Sequence, residues 1–248
     1  MMTMTAEATV RATGPEAVGL DSVTRTYGAV RALDGITWTF PRGGFTAVMG
    51  PSGSGKSTFL HCASGLDRPS AGTVRIGGVD IGRLNEAKRT RLRRERIGFV
   101  FQAFNLIPSM DVERNITLPL HLGGAEADPA WLEEVVRRVG LADRLRHRPS
   151  ELSGGQQQRA ALARALITRP EVVFADEPTG ALDPRTARDV LRMLREAADL
   201  TGQTIVLVTH DPMAAAWADS VVFLSRGRIV DELAAPTVSA VMSRWETL

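Results

Sequence analysis

Phe45-Thr46-Ala47-Val48-Met49-Gly50-Pro51-Ser52-Gly53-Ser54-Gly55-Lys56-Ser57-Thr58 is the stretch that decides the fold. Its first five residues make a short apolar run of the kind a buried strand shows, and the glycines and serines after it break any regular period. A glycine-rich turn frees backbone N–H groups, and a helix leaving such a turn points its positive dipole end at whatever the turn encloses. Gly50 followed after four residues by Gly55-Lys56-Ser57 has the spacing of a phosphate-binding loop. On that reading the N–H groups of Gly53 to Thr58 face phosphate oxygens, Lys56 reaches the β- and γ-phosphates, and Ser57 offers its hydroxyl to magnesium. The plain alternative is a glycine turn with a surface lysine. Lysine occurs only at Lys56 and Lys88, however, and chance alone seldom places one there.

Outward from the loop, the chain reads as β-rich at first and then as alternating α and β. Leu20 to Tyr27 and Ile36 to Phe40 alternate as strands, with Asp34-Gly35 between them as a turn. The loop runs into a helix from Lys56 to Gly65. Thr73 to Ile76 with Gly77-Gly78 reads as an edge strand and turn, and Ile97 to Phe101 as a buried strand. Val172 to Ala175 and Ile205 to Val208 are continuous apolar runs of parallel-strand type, while Pro129 to Gly140 and Asp183 to Leu200 carry apolar residues at helical spacing. Together these predict an α/β fold: a doubly wound core with a mostly parallel sheet and an antiparallel β subdomain on its N-terminal side. Strand signals stop between Gln102 and about Pro149, which predicts an inserted α-helical subdomain, 102–149, leading into the helix after Ser153. The expected layout is a disordered tail over 1–17 and one domain over 18–248, whose core with the β subdomain spans 18–101 and 150–248.

The chain has 248 residues, is 44% hydrophobic and carries a net charge of +2, so it can bury a full core and gives no global argument for nucleic acid. Its single cysteine, Cys62, cannot close an internal disulfide and reads as a small buried residue. No apolar run approaches the roughly 18 uninterrupted residues of a membrane span. Arg83 to Arg96 collects most of the local positive charge. Interleaved acids and missing aromatics favour a solvated helix face over a nucleic-acid or lipid patch. Phe104 to Pro108, with Ile116, Leu118, Pro119 and Leu120, either packs within the insertion or forms a groove for a helix of another protein.

Val172-Val173-Phe174-Ala175-Asp176-Glu177 supplies the second half of a site. A buried strand ending in two carboxylates is costly unless a cation or a reactive water uses them. Asp176 is the candidate to hold magnesium through a water, and Glu177 to accept a proton from an attacking water; capping of the next helix is the bland reading. A further anion-grade helix start lies at Ser153-Gly154-Gly155-Gln156. One bound nucleotide has no use for it, but two copies of the chain do.

Taken in order, these stretches resemble the ATP-binding subunit of an ABC transporter over about residues 18 to 235. The resemblance implies a P-loop NTPase core that binds ATP and Mg2+. By position, it implies nucleotide contacts from Tyr27, from Gly50, Pro51, Ser52, Gly53, Ser54, Gly55, Lys56, Ser57 and Thr58, from Gln102, from Ser153, Gly154, Gly155 and Gln156, and from Asp183 and His210. Tyr27, the only tyrosine, matches the adenine-stacking position; a half-buried strand aromatic is its bland reading. Catalysis falls to Lys56, Gln102, Glu177 and His210, and the metal to Ser57, Gln102 and Asp176. Without the other motifs His210 would read as a turn residue before Asp211-Pro212. The implied partners are a second copy packed head to tail, so that Ser153 of one meets the phosphate held by Lys56 of the other, and a transmembrane permease on a separate chain. The implied place is the cytoplasmic face of the membrane, with no nucleic acid bound. Gln102 to Pro108 and Asp176 to Asp183 look most like the group serving macrolide, antimicrobial-peptide and lipoprotein transport. Amino-acid importer ATPases, which usually carry serine where Gly180 stands, are the rival, beside soluble or regulatory ATPases of the same family.

Overall fold

The computed structural model describes residues 15–248. Residues 1–14 of the expected tail therefore lie outside the described residues, and a strand already begins at Glu16. In chain order the elements are β1 (Glu16–Tyr27), β2 (Val30–Pro41), β3 (Phe45–Met49), α1 (Lys56–Ala63), β4 (Ala71–Ile76), β5 (Val79–Asp80), α2 (Glu86–Arg96), β6 (Ile97–Phe101), α3 (Val112–Leu122), α4 (Pro129–Arg138), α5 (Gly154–Leu166), β7 (Val172–Asp176), α6 (Pro184–Thr201), β8 (Thr204–Val208), α7 (Pro212–Ala215), β9 (Ser220–Ser225), β10 (Arg228–Ala234) and α8 (Val238–Trp245).

Two sheets result. The first is antiparallel in the order β2-β1-β4-β5, and the second runs β10-β9-β3-β8-β7-β6. In the second sheet β9, β3, β8, β7 and β6 are parallel, and β10 returns as an antiparallel hairpin on β9. Strands β3 and β8 are buried at every residue, which explains why their sequences are continuous apolar runs. Helix α1 fills the space between the sheets: Phe59, Leu60 and Cys62 pack in one cluster with Val18 and Phe40 from the first sheet and Val48, Phe174 and Val206 from the second. The Cys62 thiol is fully buried and pushed up to about 12 by that burial. A second cluster on the other face of the large sheet joins α3 to α6.

Two expectations need correction. The β1–β2 reversal lies at Gly28-Ala29, where Gly28 has φ +57°, and not at Asp34-Gly35. Val23 pairs with Ile36 and Arg25 with Leu33, so Asp34 and Gly35 together face Thr24 as a bulge inside β2. Long-range bonds overrode the local turn signal: the Asp34 N–H donates to Gly227 O (2.9 Å), and its carboxylate receives Arg31 (2.9 Å) and Arg228 (2.8 Å). The arginines of α2 are likewise more than a solvated face. Arg89 is buried and paired with Glu86, Arg93 donates to Gly65 O (2.6 Å), and Arg94 donates to Leu122 O (2.7 Å). They tie the end of α1 to the end of α3. Of the apolar segment after Gln102, Ile116 is a core residue, Leu106 and Leu120 pack against the core, and Ile107 is exposed.

Candidate functional site

Parallel register gathers the site. Phe101 pairs with Asp176, Asp176 with Val208, and Val48 with Val208, so β6, β7, β8 and β3 end side by side. The residues just beyond those ends are Gln102, Glu177, Thr209-His210 and Gly50. Loops at the carboxyl ends of parallel strands are where such sheets place ligands.

Loop 50–58 is held by contacts that only glycine permits. A Cβ on Gly50 would lie 2.2 Å from Leu224 O, and one on Gly55, at φ +104°, 2.5 Å from Ala32 O. Gly53 faces open space, so an oxygen-rich ligand can approach its backbone. Ser54 is buried and its carbonyl accepts from Gly227 N (2.9 Å). The Lys56 ammonium folds back on the loop, donating to Gly50 O (2.6 Å) and Pro51 O (3.1 Å). Burial holds its pKa below the ordinary lysine value, opposed by Glu177 and Asp176. Ser57 is exposed at the helix start. A cavity of about 350 Å³ opens here, lined also by Val30, Arg31, Ala32 and Arg226.

Beside it, the Asp176 carboxyl is pushed up, first by burial and then by its like-charged neighbour Glu177, with His61 and Lys56 opposing. Two acids facing one lysine in a half-buried pocket leave a negative charge that a cation would neutralise. Among the described residues no cluster of three or more His, Cys, Asp or Glu could hold a metal by itself. A cation here would complete its shell from oxygens: the Ser57 hydroxyl, the Asp176 carboxylate, the Gln102 amide oxygen, water and ligand phosphates. That hard, partly hydrated set suits magnesium.

Glu177 is held through both its backbone and its carboxylate. Its φ is +46°, a left-handed conformation that costs a non-glycine residue energy. Its N–H donates to Val208 O (2.9 Å), its Oε2 accepts from the Thr209 hydroxyl (3.1 Å), and its Oε1 lies 2.7 Å from His210 Nδ1. Gln102 lies close by: a Cβ on Gly180 would come 2.9 Å from its Nε2.

Other expected site residues stand elsewhere. Ser153 caps α5 by a reciprocal pair, Gln156 N donating to Ser153 Oγ (3.3 Å) and Ser153 N to Gln156 Oε1 (2.8 Å). Within the chain and among the described residues, Ser153 to Gln156 make no hydrogen bond to loop 50–58 and do not line its cavity. Asp183 caps α6, its carboxylate accepting from Arg185 N (3.0 Å), Thr186 N (3.1 Å) and Thr186 Oγ1 (2.5 Å). The Tyr27 hydroxyl donates to Asp67 (2.5 Å), and the Arg25 guanidinium covers its ring at 4.4 Å. Arg31, Thr209 and Arg226 were missed by sequence reasoning. Arg31, near the start of β2, and Arg226, in the turn between β9 and β10, reach the loop only through tertiary contacts, and the dipeptide Thr209-His210 after a strand was the one available hint. A larger cavity of about 910 Å³ lies at the opposite end of the large sheet, between α4 and the end of α6.

Comparison with known proteins points the same way. A family model described as ABC transporter matches residues 33–180. The chain is 43% identical over 229 residues to the macrolide export ATP-binding/permease protein MacB of Marinobacter nauticus, covering 90% of this chain and 35% of that protein. It thus spans about a third of the length of such relatives. It is 46% identical over 202 residues to an uncharacterized ABC transporter ATP-binding protein of Mycobacterium tuberculosis, covering 81% of this chain and 82% of that one. Among solved structures, a dimeric post-hydrolysis state of the ATP-binding cassette MJ0796 bound to ADP and Pi superposes with a TM-score of 0.80 at 37% identity, over 89% of this chain and 99% of that one.

Proposed function

The chain belongs to the ABC transporter family, and on that premise we propose that it is the ATP-hydrolysing subunit of a membrane transporter and works as a head-to-tail pair. The observation that carries this reading is the convergence, beyond adjacent strand ends, of a glycine cradle at Gly50 to Thr58 with the fixed pair Glu177 and His210. The cradle N–H groups and Lys56 bind the triphosphate, Lys56 giving up its bonds to Gly50 O and Pro51 O as it does so. Glu177 accepts a proton from the attacking water, and His210 holds the carboxylate and the γ-phosphate in line. Magnesium held by Ser57, Asp176 and Gln102 would neutralise phosphate charge as it develops.

The exposed Ser153 start, unused within its own chain, supplies the last donors from a second copy, closing over the γ-phosphate with its dipole end. Tyr27 stacks on adenine through the face that Arg25 leaves open, and Asp183 orders the facing subunit from the α6 cap. Export of peptides, lipids, lipoproteins or drugs is the proposed task, supported by the macrolide export name of several relatives. The proposed partner is a transmembrane permease, with this ATPase docked at the cytoplasmic face of the membrane; among the described residues no helix is long and apolar enough to cross it.

Glu177→Gln tests the reading. The variant should bind ATP, hydrolyse it at least about a hundredfold more slowly, and elute as a dimer with ATP. Turnover at the unmodified rate would remove Glu177 as the base.

A further inference from the structure

Thr209 lies between the last residue of β8 and His210, is wholly buried, and directs its hydroxyl at Glu177. The partners set the direction. Asp211 N–H donates to Thr209 Oγ1 (3.1 Å), so the hydroxyl proton is left for an acceptor, and an ionised carboxylate can only accept. The acceptor within reach is Glu177 Oε2, at 3.1 Å. Thr209 is itself anchored, its N–H donating to Val48 O (3.2 Å) in the strand that feeds loop 50–58. A continuous chain of bonds therefore runs from β3 through Thr209 to one oxygen of Glu177, while His210 occupies the other.

The last torsion of a glutamate side chain is broad, so a single partner at Oε1 would let the Glu177 carboxylate pivot about that contact. Two partners, one on each oxygen, fix the plane of the group. We infer that Thr209 is a positioning residue for ATP hydrolysis: its hydroxyl sets the plane in which Glu177 meets the attacking water, an assignment that rests on Glu177 being the base proposed above. Thr209 is wholly buried and acts through Glu177. Its removal leaves the cradle at Gly50 to Thr58 intact, so binding and turnover separate. A merely structural threonine, closing the turn onto Asp211, would show itself in stability instead.

The test uses the full chain with magnesium-ATP and compares Thr209→Val, Thr209→Ser, Glu177→Gln and the double variant. Thr209→Val should lower kcat by about ten- to a hundredfold with KM within about twofold, as expected for a misplaced catalytic group. Thr209→Ser, which keeps the hydroxyl, should recover kcat to within about threefold. Adding Thr209→Val to Glu177→Gln should cost nothing further, since the residue acts through that carboxylate. The assignment is overturned if Thr209→Val keeps its kcat, if Thr209→Ser is as slow as Thr209→Val, or if the double variant loses the same factor again. Thr209→Ala gives the same comparison should the valine chain fail to fold. A Glu177→Gln chain that turns over normally would defeat the base itself, whereas a silent Glu177→Gln beside a fully active Thr209→Val defeats only the positioning role.

Discussion

Neighbouring glycines at the start of α5 are held for different reasons. A Cβ on Gly155 would come 2.2 Å from Thr186 Cγ2, whereas on Gly154 the nearest atom is Phe104 Cζ at 3.6 Å. Gly155→Ala should therefore push apart the starts of α5 and α6 and cost about 1–3 kcal/mol in denaturant unfolding. Gly154→Ala should leave stability within about 0.5 kcal/mol, so any loss of ATP turnover in it reports on the nucleotide and not on the fold. Cys62 offers a second check. With its thiol buried and pushed up to about 12, it should resist iodoacetamide at pH 8 in the folded chain and react once the chain unfolds; rapid labelling of the folded chain would contradict the packing of α1. At this scale local spacing made structural positions legible: the loop Gly50 to Thr58, the strand end at Asp176-Glu177 and the helix start at Ser153 to Gln156. Thr209 was not legible, because its value lies in a bond to a side chain 32 positions upstream, and no local pattern encodes that.

Elements carry the coupling between the two halves of the chain. Among the described residues Arg164, on α5, has no acid partner; it donates to Asn105 O (2.5 Å) and Phe104 O (2.8 Å), the carbonyls of two consecutive left-handed residues just after Gln102. Burial lowers its pKa from the ordinary arginine value, which marks a cation withdrawn from water. Arg164→Leu leaves those carbonyls unsatisfied and should destabilise the chain by about 2–3 kcal/mol, read from urea unfolding; unchanged stability would show that water replaces the guanidinium. Strand and helix assignments came from periodicity and were largely legible, because buried parallel strands and amphipathic helices write their environment into the sequence. Asp34-Gly35 shows the limit. A dipeptide that usually turns a hairpin sits here in a bulge, since Arg31, Arg228 and Gly227 O compensate its polar groups from elsewhere. The arginines of α2 mislead similarly, as their partners Gly65 O and Leu122 O are carbonyls that leave no mark on composition.

For the whole molecule, strand order decides what meets what. Placing β3 between β9 and β8, with β7 and β6 beyond, sets the phosphate loop next to the acids and the histidine, yet leaves the Ser153 start outside that cavity. On the proposed head-to-tail pairing, one chain would hold two halves of different pockets. If each half is completed by the other copy, then Lys56 and Glu177 of one protomer work with Ser153 of its partner. The mixing experiment follows directly: combine a Glu177→Gln chain with a Ser153→Arg chain, each nearly silent alone, and measure ATP hydrolysis. In the mixed dimer one of the two pockets has an intact Glu177 from one copy and an intact Ser153 from the other, so activity should reappear well above the sum of the separate chains. A mixture no faster than that sum would place the whole pocket within a single chain and contradict the account.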